Sequence, residues 1–385
     1  MLGNTMPASD PDADAQLAER VAALGLDPIV AAAGDVPVYL VGGAIRDLLL
    51  GRERGDVDVA VEGDAIELAR KVGGEIREHE RFGTATVRLG DHDVDLAGTR
   101  TEEYPRPGEL PVVRPASLDE DVLRRDFTIN AIAVPLADPA RVIDPHGGRD
   151  DLAAGTLRVL HGGSFTDDPT RALRAARYAA RFGFELDPGT ETALRAADLS
   201  TVSSERIEAE LLRLTEEDEW RRGLELLEEW GLAGRGDREL MGGVAETLAR
   251  SPWRGTAPRA GTMLAAGAPR TGAYSPAAET QRAACALAAL DPGPPSALAE
   301  AARAVAPAAL VLARALGAEW LDSYMSDWRD VRLEISGADL LQAGIPQGPA
   351  VGRGLAAALA AKLDGHIEGR EAELATALEA ARPPY

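Results

Sequence analysis

Between Pro37 and Ala97 the apolar residues come in runs of four or five, divided by glycines and polar turns, which is the pattern of a sheet with short connections. Pro37-Val38-Tyr39-Leu40-Val41 reads as a buried strand ending at Gly42-Gly43, Ala44 to Leu50 as a short helix closed by Gly51, and Val57 to Val61 as a second strand. Asp64 caps a helix running to about Val72, and Ala85 to Leu89 and Asp93 to Ala97 supply two further strands. One helix over 16–33 is expected ahead of this block. From Ser164 onward the alternation gives way to Ala/Leu/Arg/Glu stretches with helical period, interrupted at Gly231–Gly236, Ser251–Ala277 and Asp291–Pro295. The expected fold is α+β: a small domain with one mixed sheet, then an all-helical remainder, with no 20 to 50 residue repeat.

A chain of 385 residues fits two or more domains, and 45% hydrophobic with 27% charged residues is ordinary globular composition. The formal charge of -22 at first argues against a nucleic-acid partner, because binding phosphates relies on basic side chains. The distribution changes this: from Val122 to Phe184 nine Arg face seven Asp, a stretch of +2. Anion binding is therefore expected to be local. Lys71 and Lys362 are the only lysines, for which codon bias is the simplest cause. Cys285 stands alone, so neither an intramolecular disulfide nor a thiolate cluster can form, and a reducing, cytoplasmic setting is expected. Met1 to Gln16 carries Asp10, Asp12 and Asp14 with no basic residue, unlike a secretory signal, and no apolar run is long enough for a membrane span.

Four constellations carry chemistry. In Val41-Gly42-Gly43-Ala44-Ile45-Arg46-Asp47 a strand ends in two glycines at a helix start, where backbone N–H groups can approach a phosphate. Ten residues on, alternation puts Asp56 and Asp58 on one strand face, and two carboxylates so close repel unless a cation such as Mg²⁺ lies between them. Alone, such a pair reads first as a solvated strand face at the sheet edge; the Gly-Gly-x-x-Arg-Asp motif upstream turns the reading toward the cation. Asp93 and Asp95 repeat the spacing, and Asp95 is the better candidate to face the same metals. In Asp119-Glu120-Asp121-Val122-Leu123-Arg124-Arg125-Asp126-Phe127-Thr128-Ile129-Asn130 an acidic run gives way to paired arginines, whose planar forks suit a triphosphate. Asp167-Asp168-Pro169 then opens a helix on which Arg171, Arg174 and Arg177 share a strip; three unpaired like charges in a row imply an anionic or base-edge partner. His79, His92, His146, His161 and His366 show no ligand spacing.

These motifs, followed by Ser204-Glu205-Arg206-Ile207-Glu208-Ala209-Glu210-Leu211, occur in an order that resembles the class II tRNA nucleotidyltransferase and bacterial poly(A) polymerase family, over about Val38 to Leu214. Ile335-Ser336-Gly337-Ala338-Asp339 looks like that family's tail, at lower specificity. The resemblance implies a polymerase β-like head over 36–160 after a leader and helix over 1–35, a neck over 161–230, a body over 231–298 and a tail over 299–385. It implies that Gly43 and Arg46 hold a triphosphate, that Asp56 and Asp58 bind two Mg²⁺ ions, and that Arg125 contacts the nucleotide. It further implies that Asp168 and Arg171 read the base edge, with Arg174 and Arg177 in support. A carboxylate accepts from the exocyclic amine that C and A share, and meets a carbonyl oxygen in G and U.

Asp167 departs mildly from the glutamate most members carry before the reader. Tyr104-Pro105-Arg106-Pro107-Gly108-Glu109-Leu110-Pro111 falls where the family has a hinged loop, at full length. The implied activity is addition of C and A to the tRNA 3′ end from CTP and ATP. Alternatives are a poly(A) polymerase, an enzyme adding only A or only CC, or a non-catalytic RNA binder or nucleotide sensor on the same scaffold.

Overall fold

The computed structural model describes residues 11–52, 56–80, 83–232, 238–267 and 276–382. The first ten residues of the acidic leader, 233–236 of the break after the neck, and 268–275 within the Pro/Gly/Thr-rich stretch lie outside the described residues. Two compact units divide the chain, Met1–Ala233 and Gly234–Tyr385. The fold is α+β, with the sheet in the first unit and helices making up the second.

The first unit opens with α1 (Pro11–Ala22) and α2 (Asp27–Ala33), where one helix over 16–33 was expected. Gly25 adopts φ 68 between them, and Pro28 restarts the helix in its first turn. Next come β1 (Val38–Val41), α3 (Gly43–Leu49), β2 (Val57–Val61), α4 (Ala65–Val72), β3 (Ile76–His79), β4 (Thr84–Leu89) and β5 (His92–Gly98). As expected, Asp64 caps α4, accepting from Ile66 and Glu67 N–H at 2.9 and 3.0 Å. A hairpin, β6 (Arg100–Glu103) and β7 (Val112–Pro115), precedes α5 (Leu118–Leu123), a 3₁₀ turn at Thr128–Asn130 and β8 (Ala133–Pro135). Strand order in the sheet is β3-β4-β5-β2-β1-β8; β2 and β5 run parallel and the other pairs antiparallel, so the sheet is mixed. On β2, Val57, Val59 and Val61 are buried against the core, which turns Asp58 to the other face. Register then places Val41 and Asp95 on either side of Asp58.

The unit continues through α6 (Gly148–Ala154), β9 (Thr156–Leu157), α7 (Ser164–Asp167), α8 (Thr170–Phe182), β10 (Glu185–Leu186), α9 (Pro188–Leu194), α10 (Ser204–Glu216) and α11 (Trp220–Glu229). One face of α8, with Ala172, Ala175 and Ala176 fully buried, packs into the interior, and Phe127, Tyr178, Phe182 and Phe184 form a chain of ring contacts 5.4 to 5.9 Å apart. Small residues on that face let the helix lie close to its neighbours α10 and α11, which limits how far its arginines can shift.

The second unit contains α12 (Arg238–Ala249), α13 (Arg259–Gly267), α14 (Pro276–Ala288), α15 (Pro295–Arg303), α16 (Pro307–Ala315), α17 (Trp320–Ser323), α18 (Gly337–Gln342), α19 (Pro349–Leu363) and α20 (Arg370–Ala381). Proline opens α14, α15, α16 and α19, where its missing N–H costs nothing. Trp253, fully buried, donates Nε1–H to Asp322 at 2.7 Å. Glu373, also fully buried, pairs with Lys362 at 2.6 Å and accepts the Glu334 N–H at 2.7 Å. Among the described residues no helix is long and apolar enough to cross a membrane.

Candidate active site

A cavity of about 760 Å³ in the first unit is lined by Gly43, Arg46, Asp56, Asp58, Arg125, Asp168, Arg171, Arg174 and Arg177, all proposed from the sequence. Nine arginines and seven carboxylates line it, an excess of two positive charges inside a strongly acidic protein.

The floor comes from the β1 end and β2. Gly42 has φ 69, and a Cβ there would lie 3.0 Å from Arg125 Nη1 and 3.7 Å from Asp58 Oδ2. Only glycine permits both the turn and that approach. Burial pushes the Asp58 carboxyl up to about 6; Arg125 opposes this, and Asp95 and Asp56 add to it. A proton is thus favoured where a cation would serve the same end, and two carboxylates opening onto a cavity with room for phosphates match the partial protein ligation typical of Mg²⁺. Among the described residues no group of three or more His, Cys, Asp or Glu side chains could hold a metal ion. Asp95 does not line this cavity. It accepts the Thr86 hydroxyl at 2.6 Å and faces an adjoining space of about 440 Å³ that Asp58 also borders. Asp93 lies apart, paired with Arg77 and Arg88 on the exposed face.

The arginines are not free charges. Arg46 is buried at 4% exposure, donating to Asp47 Oδ1 and Asn130 Oδ1 at 2.9 and 2.7 Å, with its guanidinium over the Tyr178 and Phe182 rings. The expectation of three unpaired arginines along α8 is corrected. Arg174 grips Asp126 at 2.6 Å, Arg177 pairs with Glu217 at 3.4 Å, and Arg171 donates to Ser164 Oγ at 2.7 Å and the Arg124 carbonyl at 2.6 Å. The reason is physical: charges buried at the root of a cavity require partners, and residues distant in sequence supply them. Burial alone would raise the Asp126 carboxyl, yet Arg174, Asn130 and Arg171 hold it well below the usual carboxylate range. Arg125 donates to Asp121 Oδ2 at 2.8 Å and the Asn130 carbonyl at 3.3 Å, while its buried Nε has no acceptor among the described residues.

Sequence reasoning did not single out Asp121 or Arg206. Asp121, buried to 1%, holds Arg124 through one oxygen and Arg125 through the other, so one carboxylate aims both arginines. Arg206, on α10, donates to Asp168 Oδ1 at 2.8 Å. The same oxygen accepts from Thr170 N–H at 3.0 Å and its hydroxyl at 2.6 Å, so Oδ1 takes every hydrogen bond of a carboxylate that lines the cavity, and Oδ2 takes none among the described residues. Both residues stood inside recognised motifs; the i,i+3 and i,i+4 spacing of Asp121 to Arg124 and Arg125 was a local signal for its role, whereas nothing local marks the partners of Arg206, 98 and 38 residues away.

Residues 38–158 match the family described as the poly(A) polymerase head domain, and 183–235 the probable RNA and SrmB-binding site of polymerase A. An A-adding tRNA nucleotidyltransferase of Aquifex aeolicus is 49% identical over 165 residues, 41% of this chain and 20% of that one. A CC-adding tRNA nucleotidyltransferase of Deinococcus radiodurans is 34% identical over 368 residues, 90% of each chain. Among solved structures, a CCA-adding enzyme in complex with ATP superposes with a TM-score of 0.73 at 28% identity, covering 96% of this chain and 98% of that one. The matches to A-adding relatives take in only 19% to 45% of those proteins' length. Fold and site together define a nucleotidyltransferase head of the polymerase β type joined to a helical remainder. The chain belongs to the class II tRNA nucleotidyltransferase and poly(A) polymerase family.

Proposed function

We propose that the protein adds C and A to the tRNA 3′ end without a nucleic-acid template, transferring nucleotidyl groups from CTP and ATP and releasing pyrophosphate. The observation that carries this reading is the free Oδ2 of Asp168 in the same cavity as Asp56 and Asp58: a base-selecting acceptor shares one space with a carboxylate pair suited to phosphoryl chemistry.

Asp56 and Asp58 would hold Mg²⁺, which when bound supplies charge neutralisation at the triphosphate and a lowered pKa for the RNA 3′-hydroxyl. Arg125, fixed by Asp121 with its Nη1 beside Gly42, would contact the phosphates there. Arg46, held by Asn130 and lining the same cavity, would hold the triphosphate together with Gly43. Asp168 Oδ2 accepts from the amine of C or A and repels the carbonyl of G or U, while Arg171 supplies guanidinium donors at the neighbouring edge. Arg174 and Arg177 hold α8 in place through Asp126, Glu210 and Glu217. Catalysis then rests on positioning for in-line attack of the RNA 3′-hydroxyl at the α-phosphorus, with pyrophosphate departing. In this reading the first unit provides head and neck, and the second provides body and tail for the tRNA.

The test is to incubate tRNAs lacking their last one, two or three nucleotides with CTP, ATP or both, and to sequence the ends. Restoration of CCA is expected. Incorporation of A alone or CC alone would assign a partial enzyme, and long A tails on RNAs other than tRNA would overturn the reading in favour of a poly(A) polymerase.

A further inference from the structure

The segment 104–111 joins β6 to β7 beside the cavity, and its midpoint is tied to the neck by a single side chain. Arg206 donates Nη1–H to the Gly108 carbonyl at 2.8 Å and Nη2–H to Asp168 Oδ1 at 2.8 Å. Gly108 also donates its N–H to the Asp167 carbonyl at 3.2 Å, so the segment touches both residues of the Asp-Asp pair or their immediate clamp. The approach is tight: a Cβ on Gly108 would lie 2.4 Å from Thr201 Oγ1 and 2.7 Å from its carbonyl oxygen, at φ +73. At the other end of the segment Tyr104 stands over the Arg171 guanidinium at 6.0 Å and donates its hydroxyl to Glu102 at 2.9 Å. Both base-edge candidates are thus bordered by one short segment, and Arg206 is the residue that binds segment and reader at once.

We propose that Arg206 is a positioning residue for base selection, a clamp that orients Asp168 and makes its orientation depend on the docking of segment 104–111. This rests on the reading of Asp168 as base reader given above. Chemically, a carboxylate with both oxygens free can rotate and accept from any donor. With Oδ1 saturated by Arg206 and Thr170, only Oδ2 is presented, in one direction, and selectivity follows from that direction. A planar fork suits the task because its two nitrogens reach two acceptors at fixed spacing, which an ammonium cannot do. Arg206 lines the cavity but has its donors turned to protein, so it acts through Asp168 and not on the reacting atoms.

The experiment compares kcat/KM for CTP, ATP and UTP on tRNA ends with the full-length protein and the variants Arg206→Ala, Arg206→Lys and Gly108→Ala. In Arg206→Ala the preference for CTP and ATP over UTP falls by about 10-fold or more, the order expected for losing one oriented base contact, while KM for CTP rises less than its selectivity falls. Arg206→Lys keeps the charge but not the fork and gives an intermediate loss. Gly108→Ala undocks the segment without touching Asp168 and gives a smaller loss, and Gly108→Ala combined with Arg206→Ala is no worse than Arg206→Ala alone. Wild-type selectivity in Arg206→Ala, or additive losses in the combined variant, overturns the clamp and leaves the proposed function standing. A wild-type protein that fails to prefer CTP and ATP over UTP overturns both.

Discussion

At the residue scale the cavity is governed by carboxylates that aim arginines, and Asp126 shows what that costs in stability. It is buried, bonded to Asn130 Nδ2 at 2.8 Å and gripped by Arg174, and its carboxyl is held well below the usual range because these partners outweigh burial. A carboxylate depressed on folding contributes stability that is present above its unfolded pKa of about 4 and is lost as pH falls below that value. Asp126→Asn takes from Arg174 its closest carboxylate and leaves it Glu210 at 3.6 Å and the Tyr178 hydroxyl at 3.2 Å, at a cost of about 3 kcal/mol. Thermal melts at pH 7 should show a drop of roughly 8 °C. The gap between variant and wild type should narrow as pH is lowered below 4, since the wild type then loses the same interaction. Equal separation at pH 7 and at pH 3 would refute the assignment. The sequence displayed the Arg-Arg-Asp run and the arginine strip separately; their pairing spans 48 residues, so no local pattern could reveal it.

At the element scale, legibility followed the strength of the apolar pattern. β2 was readable because three buried valines alternate with Asp58, and α8 because its alanines and arginines keep helical spacing. β6 was not, since Arg100-Thr101-Glu102-Glu103 has no apolar alternation and is held by pairing with β7 and by Arg124 to Glu102 at 2.8 Å. The α1–α2 break escaped because apolar period continues across a turn that Gly25 and Pro28 impose. α8 also makes a prediction, because the element and not any one arginine sets the site's geometry. Ala176 is fully buried where α8 meets its neighbours. Ala176→Leu should overpack that contact, lowering stability by about 2 kcal/mol and shifting Asp168, Arg171 and Arg174 together. KM for CTP and for ATP should then rise in parallel, measured beside Arg195→Ala on the exposed face of the neighbouring segment, which should match the wild type. A rise for one nucleotide only would show that the arginines act independently of the helix.

On the scale of the whole molecule the charge is segregated. The first unit holds 26 Lys+Arg and 46 Asp+Glu, a net of -20, whereas the second holds 15 and 17, a net of -2. The unit with the arginine-lined cavity is therefore the most acidic part of the chain. Such a field repels polyanions everywhere except where the arginines converge, so it discourages non-specific RNA binding and confines productive approach to the cavity. Few phosphates can be neutralised at once, and the dependence of RNA affinity on salt should be shallow in slope though weak in absolute strength: log K against log salt should fall with a slope of about -3 or less steep, at roughly 0.7 per phosphate for a single strand. Arg213 lies at the rim of the cavity, 56% exposed and paired with Glu210. Arg213→Ala should weaken binding of tRNA ending in any nucleotide by a similar factor and reduce that slope by about 0.7, without altering the preference for CTP and ATP over UTP. Fluorescence anisotropy of labelled tRNA from 50 to 300 mM salt measures it, a range chosen to span the region where counterion release dominates. A slope near -7 for the wild type would mean that an extended basic surface, not the cavity, carries the RNA, and the charge argument would fail.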